Sequence, residues 1–309
     1  MKIVSLLPSA SEIVYTLGLG DQLAAVTHEC DYPPEANHRP IITRSILPPG
    51  LDSGAIDKAV RGQIDQSHSL YTIDRALLAE IQPDLILTQQ LCDVCAVSYN
   101  DVLDAVRSLP QPGPRVLNLE PNSVEDVLDT IRLVGLATGR EAEADEVLAG
   151  LRGRIEWVRE RAGQAGTRPR TVLLEWINPL FGGGHWDPEL VEIAGGVDSI
   201  GRRQEPSTQV SWEAIRDFAP EVLVVAQCGF GVARSAQDMP ALEALPGYAD
   251  LPAVKGDRVY VVNGSDYFSR PGPRLVDSLE MLASLLHPQL FGPSQTSPAQ
   301  VVQWACLPS

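Results

Sequence analysis

The sequence has a marked shortage of positive charge. Its 24 Lys and Arg residues stand against 40 Asp and Glu residues, which gives a formal net charge of −16 and a pI of about 4.7. A surface of this sign repels phosphate backbones and anionic lipid headgroups, and no run of Lys and Arg interrupts it. We therefore expect no nucleic-acid partner.

Long hydrophobic runs are also missing. No stretch approaches the roughly 20 apolar residues that a membrane-spanning helix needs, so we expect no direct membrane insertion. A signal-peptide pattern is not visible either, because Met1 and Lys2 lead directly into the apolar residues 3–7, which have the pattern of a first strand. As written, the sequence predicts a cytoplasmic protein, and it predicts a periplasmic one if an export signal has been trimmed away.

The sequence also lacks motifs that are typical of several common classes of enzyme. The sequence contains no glycine-rich phosphate loop, no nucleophile elbow and no H-E-x-x-H metal motif. These motifs therefore give no support to an enzyme activity, and we predict that the protein is not an enzyme.

Cysteine is scarce, with five residues, and an odd number cannot all pair internally. Cys92 and Cys95 form a C-x-x-C pair, which is compatible with a redox disulfide, two metal ligands or two reduced thiols. In a reducing cytosol a permanent disulfide is the least favoured of the three.

The remaining sequence alternates apolar strand patterns with amphipathic helix patterns, and 309 residues are enough for two domains. The predicted strands are residues 2–6, 23–26, 84–88, 115–119, 171–175, 222–225 and 259–262. The predicted helices are residues 9–17, 53–66, 74–81, 123–138, 141–161, 188–194, 211–218, 242–245 and 274–286.

The long helical region in the middle separates two α/β halves. We predict an α/β fold of two Rossmann-like lobes with parallel central sheets, joined by this helix as a rigid connector. The expected boundaries are an N-terminal lobe at 1–120, the connecting segment at 121–165, a C-terminal lobe at 166–290 and a loosely held tail at 291–309.

Four cysteines follow predicted strands directly. Cys30 comes after 23–26, Cys92 and Cys95 after 84–88, and Cys228 after 222–225. Ligands of open parallel sheets bind outside the carboxyl ends of the strands, so we expect these cysteines to face a cleft. They could bind zinc or another thiophilic metal, line the cleft as small apolar side chains, or take part in redox chemistry.

A glycine-rich aromatic segment spans residues 175–186 and also follows a predicted strand. Trp176, Phe181 and Trp186 could form flat walls for a large ring system, and the three glycines between them would let a ligand approach the backbone. His185 could ligate a metal, including the cobalt of a corrinoid, together with Cys30, Cys92 and Cys95. The alternative is a loop packed on its own lobe.

Several segments resemble class III substrate-binding proteins of ABC importers, which bind vitamin B12, ferric siderophores or haem. They are Ser5–Ile13, Leu17–Thr27, Ile81–Leu87, Phe218–Val225, Leu245–Tyr248 and Ala253–Tyr260. Segments 28–33, 91–95 and 184–186 are most similar to the cobalamin-binding branch of that family.

The resemblance implies a monomeric receptor that holds cobalamin or a related corrinoid, or another metal chelate, between its lobes. It implies ABC-transporter membrane subunits as partners, with acidic residues near two helix starts, Asp74 and Glu213, as docking points. The predicted ligand-binding residues are Cys30, Tyr32, Cys92, Cys95, Trp176, Phe181, His185, Trp186, Cys228 and Phe230. The alternative is a cytosolic metal-handling protein or thiol-dependent enzyme that uses the cysteines.

Overall fold

The fold was analysed in a computed structural model, which describes residues 1–48, 50–64, 70–90, 98–110, 113–292 and 300–304. The chain divides into two compact units. Unit 1 comprises Met1–Leu51, Ala55–Pro121 and Glu125–Gly150, and unit 2 comprises Asp52–Gly54, Asn122–Val124 and Leu151–Ser309.

Unit 1 is built on a parallel sheet with the strand order β2-β1-β5-β6. The strands of this part of the chain are β1 (Ile3–Ser5), β2 (Leu23–Ala25), β3 (Thr43–Ser45), β4 (Tyr71–Ile73), β5 (Leu85–Thr88) and β6 (Arg115–Asn118). Its helices are α1 (Pro8–Thr16), α2 (Ser53–Ile64), α3 (Arg75–Ile81) and α4 (Tyr99–Arg107). β3 and β4 pair with each other as a separate antiparallel ribbon.

The parallel sheet of unit 1 follows from its sequence. All four residues of β5 are buried, as expected for a strand that is covered on both faces. Val4, Ile86 and Leu78 belong to one apolar cluster that packs α3 and α4 against the sheet. The first helix begins at Pro8, with Leu7 as its N-cap, because proline is well suited to a first helical position.

Unit 2 contains a sheet in the order β11-β10-β9-β7-β8. Its strands are β7 (Thr171–Trp176), β8 (Phe181–Gly182), β9 (Val222–Val225), β10 (Val259–Val262) and β11 (Val301–Gln303). The helices after residue 170 are α7 (Asp187–Ile193), α8 (Trp212–Phe218), α9 (Val232–Glu243), α10 (Pro252–Lys255), α11 (Leu275–Leu286) and α12 (Pro288–Phe291). The central strands β7, β9 and β10 are parallel, and the edge strands β8 and β11 are antiparallel to their neighbours.

Two helices lie between these sheets in the sequence, α5 (Val124–Thr138) and α6 (Glu141–Ala162). The division between the units falls inside α6, after Gly150. An α/β fold with parallel central sheets is therefore confirmed.

Part of the region predicted as a loosely held tail has defined structure. Val301–Gln303 pairs with β10, and Val302 and Trp304 pack against the apolar core of unit 2. The Trp304 indole N–H donates a hydrogen bond of 2.7 Å to Glu243. Hydrogen bonds and apolar burial thus hold residues 300–304 in place.

Candidate functional site

The carboxyl end of the unit 2 sheet carries an aromatic pair. Trp176 ends β7, and Phe230 follows β9; their ring centroids are 5.0 Å apart at an interplanar angle of 41°. The Trp176 indole N–H donates to the carbonyls of Asn178, at 3.0 Å, and Ser53, at 3.2 Å. These bonds fix the edge of the indole, so the ring has one defined orientation. Both side chains are half-buried.

Arg234 completes this group. It lies in the first turn of α9, and its guanidinium carbon is 4.2 Å from the centre of the Phe230 ring, close enough for a cation–π interaction. Arg234 also forms an ion pair of 3.1 Å with Asp238, which accepts a hydrogen bond of 3.0 Å from the buried Gln227 amide. We refer to Trp176, Phe230 and Arg234 as the aromatic platform.

The glycine-rich loop beside the platform is tightly constrained. A Cβ at Gly184 would come within 2.3 Å of the Ser207 backbone nitrogen, so this position requires glycine. His185 has a positive φ of 50°, and its backbone N–H donates to the Glu205 carbonyl at 2.7 Å. The backbone of this loop is therefore packed against residues 205–207 of unit 2.

The side chains of this loop point to different environments. Burial lowers the pKa of His185, so its ring is neutral at pH 7, and its Nε2 has no hydrogen-bond partner among the described residues. Trp186 is only 5% exposed, and its indole N–H donates to the Phe268 carbonyl at 2.9 Å. Trp186 is therefore packed within unit 2, whereas Phe181 is half-buried in β8.

Two carboxyl groups lie beneath this loop. Glu175 accepts a hydrogen bond of 2.5 Å from the Gly184 N–H and is hydrogen-bonded to the side chains of Ser207 and Asp187. Burial of Asp187, together with the charges of Glu175 and Asp198, raises the pKa of Asp187 well above its ordinary value. Since a hydrogen bond between two carboxyl groups requires a proton, we assign that proton to Asp187.

The carboxyl end of the unit 1 sheet is more polar. Cys30 is buried, and its Sγ lies 3.1 Å from the Ser11 hydroxyl and 3.3 Å from the Thr27 hydroxyl. His28 Nδ1 is 2.8 Å from the Thr43 hydroxyl, and partial burial lowers the pKa of His28. Tyr32 is 44% exposed.

The predicted metal site stays a prediction, because only two of its four ligands are among the described residues. Cys92 and Cys95 lie outside them, and Cys30 and His185 belong to different units. In the part of the chain that the structure describes, no group of three or more His, Cys, Asp and Glu side chains could hold a metal ion. Cys228 is half-buried on unit 2 and follows β9 as predicted.

The two acidic residues predicted for transporter docking are both exposed. Asp74 is the N-cap of α3 and accepts a hydrogen bond of 2.9 Å from the Leu77 N–H. Glu213 lies in the first turn of α8, but the N-cap there is Ser211. Asp74 thus caps its helix through a hydrogen bond, whereas Glu213 has the favourable interaction of a first-turn acid with the helix dipole.

Sequence reasoning missed some of these residues. Arg234 went unnoticed because α9 was not predicted beyond its last residues, although Phe230 and Arg234 have the i, i+4 spacing of helical neighbours. Glu175 was included only as the first residue of the aromatic segment, although an acidic residue at the end of a buried strand can itself indicate a functional site. Arg270 is only 6% exposed, although arginine side chains are mostly exposed in folded proteins.

Among the described helices, none combines the length and the apolar character required to cross a bilayer.

Known proteins provide an independent comparison. The profile of a family described as periplasmic binding protein matches residues 3–265. An uncharacterised ABC transporter substrate-binding lipoprotein of Bacillus subtilis is 26% identical and is aligned over 94% of this chain and 81% of its own length. The vitamin B12-binding protein of Vibrio cholerae is 24% identical over 92% of this chain and 88% of its own length.

A solved structure agrees with the fold. The periplasmic heme-binding protein of Roseiflexus sp. RS-1 superposes with a TM-score of 0.69 at 21% identity, over 93% of this chain and 97% of the other. At this level of identity the likeness concerns the fold alone.

Proposed function

The chain belongs to the periplasmic binding protein family, and from this premise we propose that it is the substrate-binding protein of an ABC importer whose ligand is a corrinoid. The observation that supports a large ring-shaped ligand is the aromatic platform, in which the ring centroids of Trp176 and Phe230 lie 5.0 Å apart at the carboxyl end of the unit 2 sheet. Ligands of open α/β sheets bind in the crevice outside the carboxyl ends of the strands.

The chemistry of the platform suits a large ring bordered by polar groups. The two aromatic rings offer apolar contact area to a macrocycle, and the Arg234 guanidinium beside Phe230 can donate hydrogen bonds to amide or carboxylate oxygens at its rim. The name of the Vibrio cholerae relative supports a corrinoid, since that protein is a vitamin B12-binding protein.

Haem and ferric siderophores are the competing ligands. Haem is a planar macrocycle with two carboxylates, and the Roseiflexus neighbour is a heme-binding protein. The same platform would suit haem, so the decision between them requires a measurement.

A receptor role also implies a protein partner and a location in the cell. An importer receptor delivers its ligand to membrane subunits from outside the cytoplasmic membrane, and the Bacillus subtilis relative is a substrate-binding lipoprotein. This proposal and the expectation of a cytoplasmic protein exclude each other. Fractionation of the native host decides between them, because recovery with soluble cytoplasmic markers would contradict the importer role.

The ligand is tested by titration of the purified full-length protein. Calorimetry and visible absorption are recorded with cyanocobalamin, cobinamide, haemin and a ferric siderophore. We expect one-to-one binding of the two corrinoids and no saturable binding of the siderophore. If only haemin shows saturable binding, the ligand is haem and not a corrinoid. If none of the four compounds gives heat or a spectral change, the proposed function is wrong.

A further inference from the structure

The C-terminal strand is connected to the candidate site through one short segment of unit 2. This segment, Gly264–Phe268, forms a single π-helical turn directly after β10, with Asn263 as its N-cap. Turns of this type occur frequently at functional sites. We refer to Gly264–Phe268 as the π-turn.

The π-turn contacts two loops of unit 2 that carry predicted ligand-binding residues, the loop of Phe230 and the loop of Trp186. The Ser265 N–H donates to the Phe230 carbonyl at 3.1 Å, and the Phe268 carbonyl accepts from the Trp186 indole at 2.9 Å. Gly264 packs so closely on β9 that a Cβ there would come within 2.3 Å of the Gln227 carbonyl oxygen. A shift of the π-turn would therefore move the backbone that holds Phe230.

Gln300, immediately before β11, holds the π-turn at two points. Its carbonyl accepts a hydrogen bond of 2.8 Å from the Asn263 N–H, and its side-chain amide donates to the Tyr267 hydroxyl. One residue of the C-terminal strand region thus bonds the N-cap and the fourth residue of the turn. Asn263 and Asp266 add a capping pair of their own within the segment.

We propose that Gln300 is a positioning residue for the candidate ligand site, acting through the π-turn on the Phe230 and Trp186 loops. The proposal rests on the proposed function for the statement that the site binds a ligand. The coupling between Gln300 and the two loops does not depend on any ligand. The strand β11 itself is held by other contacts, including Trp304 with Glu243. Loss of the Gln300 side chain should therefore loosen the π-turn without releasing the strand.

The chain offers a matched control three residues away. Gln303 also donates its side-chain amide, to the Asp257 carbonyl at 2.5 Å, and Asp257 lies before β10, at the opposite end of that strand from the π-turn. Gln300→Ala and Gln303→Ala each remove one side-chain hydrogen bond that the structure describes in this region. Only the first touches the π-turn, and Tyr267→Phe removes the same bond from the other side.

Hydrogen exchange of the full-length protein tests the coupling. In Gln300→Ala and in Tyr267→Phe, we expect amide exchange in residues 263–269 and 228–231 to rise about fivefold, the effect of one lost hydrogen bond on a local opening. In Gln303→Ala, exchange in both segments should match the wild type. Equal exchange in Gln300→Ala and Gln303→Ala, or a rise that stays out of residues 228–231, would overturn the proposal.

Affinity for cyanocobalamin and haemin provides the second readout. If the wild type binds either probe, Gln300→Ala should weaken binding about fivefold and Gln303→Ala should leave it unchanged. Faster exchange in residues 228–231 with unchanged affinity would show that Gln300 does not position the site. If the wild type binds neither probe, the proposed function fails, while the exchange measurements still decide whether the coupling exists.

Discussion

Arg170 occupies in unit 2 the position that Lys2 occupies in unit 1. Each precedes the first strand of its sheet, and each donates its backbone N–H to a carboxylate, Asp84 at 2.7 Å and Glu221 at 2.9 Å. Each side chain donates to a carbonyl at the end of a short helix, from Lys2 to Ile81 at 2.8 Å and from Arg170 to Ala219 at 2.9 Å.

The surroundings of the two residues correspond as well. α3 and α8 both have seven residues, and both are followed by a residue with left-handed backbone, Gln82 and Ala219. A proline, an acidic residue and a buried strand come next in each unit. The two units therefore share one local construction, in keeping with the two Rossmann-like lobes predicted from the sequence.

The shared construction predicts equal effects in both units. Asp84→Ala and Glu221→Ala should each lower the free energy of unfolding by about 1 kcal/mol, because each removes the acceptor of one backbone hydrogen bond at a partly exposed site. Urea denaturation measures the change. Asp217→Ala, at an exposed acid of α8, is the control and should stay within about 0.5 kcal/mol; an equal loss in the control would contradict the prediction.

How well the fold follows from the sequence depends on the element. Strands such as Val222–Val225 were predicted at their observed bounds, because a short apolar run that is buried on both faces leaves a clear signal. Most of α9 was not predicted, since it starts after Gly229 and Gly231 and contains Pro240. β8 and β11 are short antiparallel edge strands that only tertiary contacts define.

The candidate site shows the same limit. The aromatic segment was identified from residue types, but the environment of Trp186 depends on Phe268, which lies 82 residues further along the chain. Likewise, the pairing of Glu175 with Asp187 requires the loop to fold back over twelve residues. Sequence patterns located the strand ends, but contacts between residues far apart in the sequence decide which side chains are accessible there.

Trp176 and Trp186 should respond differently to truncation. Trp186→Ala should lower the free energy of unfolding by about 3–5 kcal/mol, because the ring is buried and hydrogen-bonded. Trp176→Ala should mainly weaken ligand binding, by about 1–3 kcal/mol, because its half-buried ring belongs to the platform. Denaturation and calorimetry with the ligand identified by titration measure the two effects.

Trp157 supplies the control for this comparison. It is 49% exposed on α6 and packs on Phe291, which is not part of the aromatic platform. Trp157→Ala should leave ligand affinity unchanged. If Trp176→Ala and Trp157→Ala bind alike, the platform is not a ligand surface.

The thiols should differ in reactivity. Cys30 is buried between two hydroxyl groups, whereas Cys228 is half-buried, so a maleimide should label Cys228 before Cys30. Site-resolved mass spectrometry of the native protein measures each rate. Cys228→Ser confirms the assignment. Faster labelling of Cys30, or labelling of Cys30 only after a chelator is added, would favour the alternative of a thiol or metal function.

Asp187 predicts a pH-dependent stability with a definite sign. Because its pKa is raised in the folded state, its contribution to stability is complete below the unfolded pKa of about 3.9 and is lost as the pH rises towards the folded pKa. Asp187→Asn keeps a hydrogen-bond donor for Glu175 and cannot ionise.

The free energy of unfolding of Asp187→Asn, relative to the wild type, should therefore increase as the pH rises from the unfolded pKa of Asp187 towards its raised folded pKa. The gain is at most about 1.4 kcal/mol per pH unit and ends at the folded pKa. Denaturation at several pH values gives this difference. Exposed Asp217, changed to Asn, is the control and should show no such trend; a difference for Asp187→Asn that is constant with pH would mean that Asp187 is ionised in the fold.

The docking prediction for Asp74 and Glu213 can be separated from helix capping. Asp74 caps α3 through the Leu77 N–H, so Asp74→Ser removes the charge and keeps a good N-cap, while Glu213→Gln removes the charge of the first turn of α8. If the two carboxylates dock on basic residues of membrane subunits, the double variant should bind ligand normally. It should stimulate the ATPase of the reconstituted importer about tenfold less well, a loss of about 1.4 kcal/mol.

The same helices provide the matched control for this experiment. Glu80 of α3 and Asp217 of α8 are exposed acids near the opposite ends of the two helices. Changing them to Gln and Asn removes the same net charge and leaves both helix starts intact. Equal losses of stimulation in the two double variants would indicate a general effect of net charge, whereas a loss confined to Asp74 and Glu213 requires that the helix starts themselves meet the transporter.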